Sequence, residues 1–225
     1  GVELVTVPVG ANHRADVAAM TRVIDELGER VVLVAASAPS YAHGVIDPIT
    51  ELAAIAQARG LRFHVDACIG GWVLPWLADV PAWDFAVPGV TSLSVDLHKY
   101  AYTPKGVSLL LHANPQLRQP QFFAHADWPG YTMLNSTTQS TKSGGPLAAA
   151  WAVVNLIGAD GYRDLVARTV DATAEVARGI EAIDHLHLVE QPETSLVVLG
   201  ADDALDVFTL SDLMLDRGWF VQPQM

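Results

Sequence analysis

The residues best suited to chemistry lie between positions 90 and 106, where a β-branched strand runs into a polar turn that carries His98 and Lys99. A second apolar strand is predicted directly afterwards, over residues 107–111. A position between two buried strands is poor for a solvated charge. The same position suits a lysine whose amine must be neutral, fixed and ready to attack a carbonyl. The residues alone leave two interpretations of Lys99 open: a covalent nucleophile, or a lysine at a strand end that pairs with Asp96.

Asp66 ends the apolar strand predicted over residues 61–67, where a lone carboxylate costs free energy unless it has a partner. The N–H of a pyridinium ring is a suitable partner. A fixed anion there keeps the ring nitrogen protonated and the ring able to accept electrons, while a lysine amine can hold the same cofactor as a Schiff base. We therefore predict that Lys99 and Asp66 face one pyridoxal phosphate site. The alternative for Asp66 is a cap on the turn at Gly70.

Other polar residues fall where they could reach a ligand. His64 and Cys68 stand two positions on either side of Asp66 and share its face of the strand, where packing is the favoured role of both. A loop at residues 37–46 follows another predicted strand, at the edge where open α/β sheets bind ligands. Three of its residues could contact a phosphate, or act on the substrate as acid or base, although any one alone could be a turn residue: Ser37, Tyr41 and His43.

Three segments stand in an order and at a spacing that resemble the sphingosine-1-phosphate lyase branch of the pyridoxal phosphate-dependent group II decarboxylases, which are fold-type-I enzymes. The segments are His43-Gly44-Val45-Ile46-Asp47-Pro48, His64-Val65-Asp66-Ala67-Cys68-Ile69-Gly70-Gly71 and the lysine stretch at 90–106. The resemblance covers nearly the whole chain and includes the landmarks Asp127-Trp128, Gly144-Gly145 and Gly218-Trp219. It favours the nucleophile interpretation of Lys99.

The resemblance implies roles for neighbouring residues. It places His98 near the cofactor phosphate and Cys68 against the ring, where the family often has a small residue. Residues 140–145 resemble a Gly-Ser-Arg-Pro-Gly-Gly segment that reaches the cofactor phosphate across a dimer interface, which implicates Gly144. In this chain Lys142 replaces the arginine and a serine replaces the proline. A compact ammonium therefore replaces a planar guanidinium that can donate two parallel hydrogen bonds. The departure bears on recognition of a substrate phosphate more than on cofactor binding.

The resemblance implies retro-aldol cleavage of a phosphorylated amino alcohol to an aldehyde and an amino-phosphate. Lys99 is the residue that forms the Schiff base in this reaction. The substrate is then a small-molecule amine, His43 is the candidate acid or base, and the protein is a homodimer with a shared active site. One alternative is loss of CO2 from an amino acid, which needs only a carboxylate held out of the ring plane. A second alternative is a non-catalytic structural paralogue. The altered segment around Lys142 leaves room for that alternative, while the presence of both Lys99 and Asp66 argues against it.

The composition limits the partners. The 225 residues include 13 Lys and Arg against 25 Asp and Glu, a formal charge of −12, which argues against nucleic acid or an anionic membrane surface. The single cysteine, Cys68, predicts a cytoplasmic protein without disulfides. No run approaches the roughly 18 apolar residues that a spanning helix needs, so no membrane anchor is seen. We predict no metal site.

The elements that would position these residues alternate as βαβαβ, starting with a strand at residues 3–7. This order predicts an α/β fold with a three-layer, mostly parallel sheet and helices on both faces. Asp16 and Asp47 are expected to cap the first two helices. Residues 112–145 have little periodicity, which is typical of a functional loop, and two helices are predicted after it, over 146–157 and 162–183.

The predicted domains are unequal. Residues 1–158 are assigned to the cofactor-binding large domain. Residues 159–225 are assigned to an interdomain helix and the incomplete start of a smaller α+β C-terminal domain. The resemblance implies that the upstream half of the cofactor site, with its phosphate loop and ring-stacking residue, is not in this chain, which is expected to be part of a longer enzyme.

Overall fold

The computed structural model describes residues 1–127, 129–139 and 141–224. Two residues of the family segments named above, Trp128 and Ser140, lie outside the described residues. The helices are α1 (Val17–Leu27), α2 (Ile49–Ala58), α3 (Pro115–Arg118), α4 (Gly144–Glu181) and α5 (Val207–Asp216). The strands are β1 (Val34–Ser37), β2 (Phe63–Asp66), β3 (Ser92–Asp96), β4 (Ser108–His112), β5 (Phe123–His125), β6 (Met133–Asn135), β7 (Leu186–Leu188) and β8 (Leu199–Ala201).

The main sheet has the strand order β1-β2-β3-β4. Strands β1, β2 and β3 are parallel, with Val65 of β2 opposite Ala36 of β1 and Leu93 of β3, and β4 returns antiparallel to β3. Helix α2 joins β1 to β2 as the crossover that parallel neighbours require. The α/β fold class with a mostly parallel sheet is confirmed. The pairs β5–β6 and β7–β8 form separate antiparallel sheets.

The two faces of the main sheet differ because apolar and polar residues alternate along its strands. Val34, Phe63, Val65 and Leu93 are buried in a core with helix α2, whose Leu52 is also fully buried. The opposite face is half-buried or exposed, and we call it the polar face: Ala35, Ser37, His64, Asp66, Ser92, Ser94 and Asp96. In the part of the chain that the structure describes, helical cover therefore lies against the apolar face.

The first two helices begin differently. Helix α1 has Asp16 as its cap, as predicted. The prediction that Asp47 caps the second helix is wrong, because its carboxylate accepts hydrogen bonds from the backbone N–H groups of Ala15 and Ser37, each over 2.8 Å. Helix α2 begins at Ile49 without a side-chain cap. Asp47 instead fastens the end of β1 to the segment before α1.

Two other local predictions are wrong. The strand expected at residues 3–7 is not formed, and residues 3–6 are exposed. The expected loop at 112–145 contains α3 and the hairpin of β5 and β6. The prediction of two helices after that loop is confirmed, because α4 is interrupted between them, where Gly158 has a φ of 63° and a ψ of 176°. Among the described residues, no helix combines the length and apolar character that crossing a bilayer requires.

Candidate active site

Lys99 lies in the turn that follows β3, beside the last residue of the polar face. Its Nζ donates hydrogen bonds to Asp96 Oδ2 and to Cys68 Sγ, each over 2.9 Å. Asp96 accepts a further hydrogen bond from Ser108 Oγ on β4. The amine is therefore held at two points, one at the end of β3 and one just beyond β2.

A buried tyrosine of α4 holds the turn that carries Lys99. The hydroxyl of Tyr162, which is 2% exposed, donates a hydrogen bond to the backbone oxygen of Ala101 over 2.9 Å. Its ring packs edge-on against Trp72, with centroids 5.1 Å apart, and is stacked with Trp76 at 6.3 Å. The packing of Tyr162 against the two tryptophans, together with this hydrogen bond, fixes the backbone two residues beyond Lys99.

Asp66 is at the end of β2 and its side chain is only partly engaged. The Cys68 backbone N–H and the Ser94 hydroxyl both donate to Asp66 Oδ1, over 3.0 and 2.9 Å. Asp66 Oδ2 has no hydrogen-bond partner among the described residues. Cys68 contacts Asp66 through its backbone and Lys99 through its sulfur, so the structure brings the two predicted residues to the same side of the sheet.

His64 lies behind Asp66 on the polar face. Its Nδ1 is 2.9 Å from Ser92 Oγ and its Nε2 is 3.2 Å from Ser94 Oγ. Burial lowers the pKa of His64, so the ring is neutral near pH 7. Ser94 therefore bridges His64 and Asp66, a role that the sequence analysis missed. The alternation of Ser92, Ser94 and Asp96 with apolar residues is the signal that could have indicated it.

Ser37 and His98 lie close to the residues around Asp66 and Lys99. Ser37 is in register with Asp66 on the neighbouring strand and shares the polar face. The ring of His98 has its Nδ1 3.0 Å from the backbone oxygen of Val107, so Nδ1 carries the proton in that bond. Its Nε2 is 3.7 Å from Asp96 Oδ2.

His43, Tyr41 and Gly144 are not brought to Lys99. His43 stacks on His13 with ring centroids 4.4 Å apart, and with Tyr41 it lines a cavity of about 440 Å³ that β8 and α5 also line. Burial, and then the neighbouring His13, lower the pKa of His43. Gly144 is the exposed first residue of α4. Among the described residues, no hydrogen bond or ion pair joins any of these three to Lys99.

Two glutamates, which we call the glutamate clamp, hold the loop that contains His43. Glu190 Oε1 accepts from His13 Nδ1 over 2.7 Å, and His13 in turn stacks on His43. Glu193 accepts from the backbone N–H of Ile46 over 2.7 Å and forms an ion pair with Arg14. The clamp is a feature that local sequence patterns did not indicate.

The electrostatics of the lysine cluster follow from its contacts. Burial lowers the pKa of Lys99, but hydrogen bonds to Cys68 and Asp96 outweigh it and leave the pKa above the ordinary lysine value. Burial raises the pKa of Asp96, whereas Ser108 and Lys99 lower it and prevail. Burial raises the pKa of the Cys68 thiol. Lys99 without a covalent partner is therefore an ammonium paired with a carboxylate.

These side chains fit pyridoxal phosphate. The unoccupied oxygen of Asp66 is a carboxylate acceptor for a pyridinium N–H, and it lies on the same side of the sheet as a lysine amine. Cys68 lies between them and is half-buried, which leaves its side chain able to touch a flat ring. The residues present match the two chemical requirements of this cofactor, a fixed anion and a lysine.

The sequence comparisons agree with this chemistry. Residues 1–201 match the pyridoxal-dependent decarboxylase conserved domain. The chain is 38% identical over 222 residues to the sphingosine-1-phosphate lyase of Arabidopsis thaliana, covering 97% of this chain and 40% of that protein. It is 36% identical over 224 residues to sphingosine-1-phosphate lyase 1 of Rattus norvegicus, covering 97% of this chain and 39% of that protein. The chain thus spans about two fifths of the length of these curated relatives.

Solved structures give the same result. The sphingosine-1-phosphate lyase of Burkholderia pseudomallei superposes with a TM-score of 0.90 at 34% identity, over 99% of this chain and 51% of that one. Glutamate decarboxylase of Lactobacillus brevis shares the fold, with a TM-score of 0.81 at 23% identity over 96% of this chain and 51% of that one. The chain therefore belongs to the pyridoxal-dependent decarboxylase family, and within it is similar to the sphingosine-1-phosphate lyases.

Proposed function

We propose that the protein containing this chain is a pyridoxal phosphate-dependent lyase that cleaves a phosphorylated amino alcohol by a retro-aldol reaction. The observation that carries the proposal is the placement of the Lys99 amine and the Asp66 carboxylate on one side of the sheet, with Cys68 between them. The similarity to sphingosine-1-phosphate lyases supports this choice of substrate class.

Each residue has a distinct task in this proposal. When bound, pyridoxal phosphate supplies an aldehyde that combines with amines and a ring that accepts electrons. Lys99 holds the cofactor covalently, and its Nζ carries protons once it is released. Asp66 keeps the ring nitrogen protonated, and it is oriented by the Ser94 hydroxyl and the Cys68 N–H. Cys68 contacts the ring.

The remaining predicted residues are part of the same proposal. Ser37, His98 and Gly144 contribute to cofactor binding, and His43 acts as the acid or base toward the substrate hydroxyl. Burial lowers the pKa of His43, so its imidazole is neutral at pH 7 and can accept a proton. Decarboxylation of an amino acid is the alternative reaction, and it does not need such a base.

We also propose the assembly and organisation of the whole protein. It is a cytoplasmic homodimer that shares its active site between subunits, and the exposed apolar side chains of Leu147 and Trp151 at the start of α4 are consistent with an interface there. The large domain includes residues 1–158, and the interruption of α4 at Gly158 supports a boundary at that point. Residues 159–225 begin the smaller domain.

The test is a reduction experiment on the protein at its native length. Added pyridoxal phosphate should give a visible absorption band, and borohydride should fix a pyridoxyl group that peptide mapping assigns to Lys99. Lys99→Ala should lose the band, whereas Lys105→Ala, which changes a nearby exposed lysine, should keep it. Product analysis with a phosphorylated amino alcohol and with amino acids then identifies the bond. Absence of the band from the wild-type protein refutes the proposal.

A further inference from the structure

Asp96 is fixed more firmly than the lysine it contacts. It is the last residue of β3, and the register of the antiparallel pair places it opposite Ser108, whose hydroxyl donates to Asp96 Oδ1. Its side chain is 16% exposed, against 35% for Lys99. The second oxygen, Oδ2, accepts from Lys99 Nζ over 2.9 Å and lies 3.7 Å from His98 Nε2. The carboxylate is therefore a rigid acceptor built into the sheet.

An ordinary pair of this kind contributes little. Exposed ion pairs close in sequence stabilise a protein only weakly, because ordering both side chains offsets most of their attraction. Here the cost of ordering falls on Lys99 alone, because Ser108 and the sheet already hold Asp96. The pair therefore determines where the amine rests, 2.9 Å from the carboxylate and 2.9 Å from Cys68 Sγ.

We propose that Asp96 is a positioning residue for Lys99, which receives the ammonium whenever the amine is not covalently occupied and keeps its proton at the site. This inference rests on the proposed function, in which Lys99 carries the cofactor. It adds to that function a residue that acts through the lysine. The same contact holds Nζ beside Cys68, on the side of the sheet that Asp66 occupies.

The charged and titratable groups around Lys99 define what the carboxylate contributes. Asp96 Oδ2 and Cys68 Sγ contact Nζ directly, Asp66 contacts the backbone of Cys68, and His98 contacts Asp96. Burial raises the pKa of Cys68, so its thiol is uncharged near neutral pH. Asp96 is then the anion in direct contact with the ammonium, and its removal should make Lys99 easier to deprotonate.

The test measures the amine itself rather than turnover. In the cofactor-free protein at native length, competitive acetylation with trace acetic anhydride and peptide mapping give the reactivity of Lys99 from pH 7 to about pH 12. In Asp96→Asn the acetylation rate at pH 8 should rise about tenfold, the lower end of the effect of one opposite charge at contact distance. Asp96→Glu, which restores the charge, should bring the pH profile back toward that of the wild type.

The matched control is Asp160→Asn. This change also removes one negative charge, at a carboxylate that is 96% exposed and paired with Arg163, and it should leave the Lys99 profile unchanged. A profile in Asp96→Asn that coincides with the wild type overturns the inference. If Asp96→Asn does not fold, the wild-type protein decides: Lys99 must titrate above the ordinary lysine value, and titration at or below that value overturns the inference.

Borohydride mapping keeps this test separate from the proposed function. A wild-type protein that attaches pyridoxal phosphate at Lys99, with an unshifted Asp96→Asn profile, overturns the role of Asp96 and leaves the proposed function standing. A wild-type protein that attaches none at Lys99 overturns both. A shifted profile together with faster uptake of pyridoxal phosphate at pH 7, followed by its visible absorption, supports both.

Discussion

The hydroxyl of Tyr162 should stabilise the fold through its hydrogen bond to the lysine turn. It donates to the Ala101 oxygen over 2.9 Å, and Ala101 is fully buried. Tyr162→Phe keeps the ring and its contacts with Trp72 and Trp76, but it leaves a buried carbonyl without its partner. Leaving such a group unpaired costs about 1–3 kcal/mol, so we expect the free energy of unfolding to fall by that amount.

Urea unfolding, followed by tryptophan fluorescence, measures this loss. The matched control is Tyr102→Phe, because Tyr102 is in the same turn but is 47% exposed and donates no side-chain hydrogen bond among the described residues. Its effect should stay within about 0.5 kcal/mol. Equal losses in the two variants, or no loss in Tyr162→Phe, would refute the argument that the buried hydrogen bond holds the turn.

Two further predictions concern packing and pH. Gly70→Ala would place a Cβ 2.0 Å from the backbone oxygen of Ala38, so we expect a loss of about 1–3 kcal/mol or more. Gly179 lies in α4, and a Cβ added there would have no atom within 4 Å other than those of its helical neighbours. Gly179→Ala should therefore raise the free energy of unfolding by about 0.5–1 kcal/mol. Thermal melts that place both variants at the wild-type midpoint contradict this reasoning. Burial lowers the pKa of His64 from 6.5, so the folded state binds fewer protons than the unfolded chain, and stability should fall as the pH drops below about 6.5. In His64→Gln this decline should be shallower between pH 7 and pH 5.5 in urea unfolding, and a parallel decline in the variant argues against burial as its cause.

Much of the fold could be predicted because the types and spacing of residues close in sequence indicate most of its helices and strands. Asp16 indicated the start of α1, and the apolar run at 61–67 indicated β2, although the strand is shorter than the run. The segment at 3–7 has the composition of a strand, but β-structure needs a neighbouring strand, and the described residues offer it none. Asp47 had the position of a helix cap, and two distant backbone N–H groups took its carboxylate instead.

The site was predictable to a similar extent. Lys99 and Asp66 were identified from residue type and position, and the register of three strands brings them together on one side. Ser94 and Ser108 were missed because their contacts depend on that register, which no local window of sequence contains. The roles of the seven predicted site residues remain predictions until the reduction and labelling experiments are done.

The glutamate clamp has a consequence for how the chain is made. His13 and Glu190 are separated by 177 positions, yet they are in contact in the folded protein. A ribosome adds about 5–20 residues per second, so Glu190 emerges roughly 9–35 s after His13. The parallel strands around Asp66 are synthesised within that interval, whereas the loop with His43 lacks both glutamates until the interval is over. Within one chain, the loop proposed to act as acid or base is therefore the last of the described site segments to gain its contacts during synthesis.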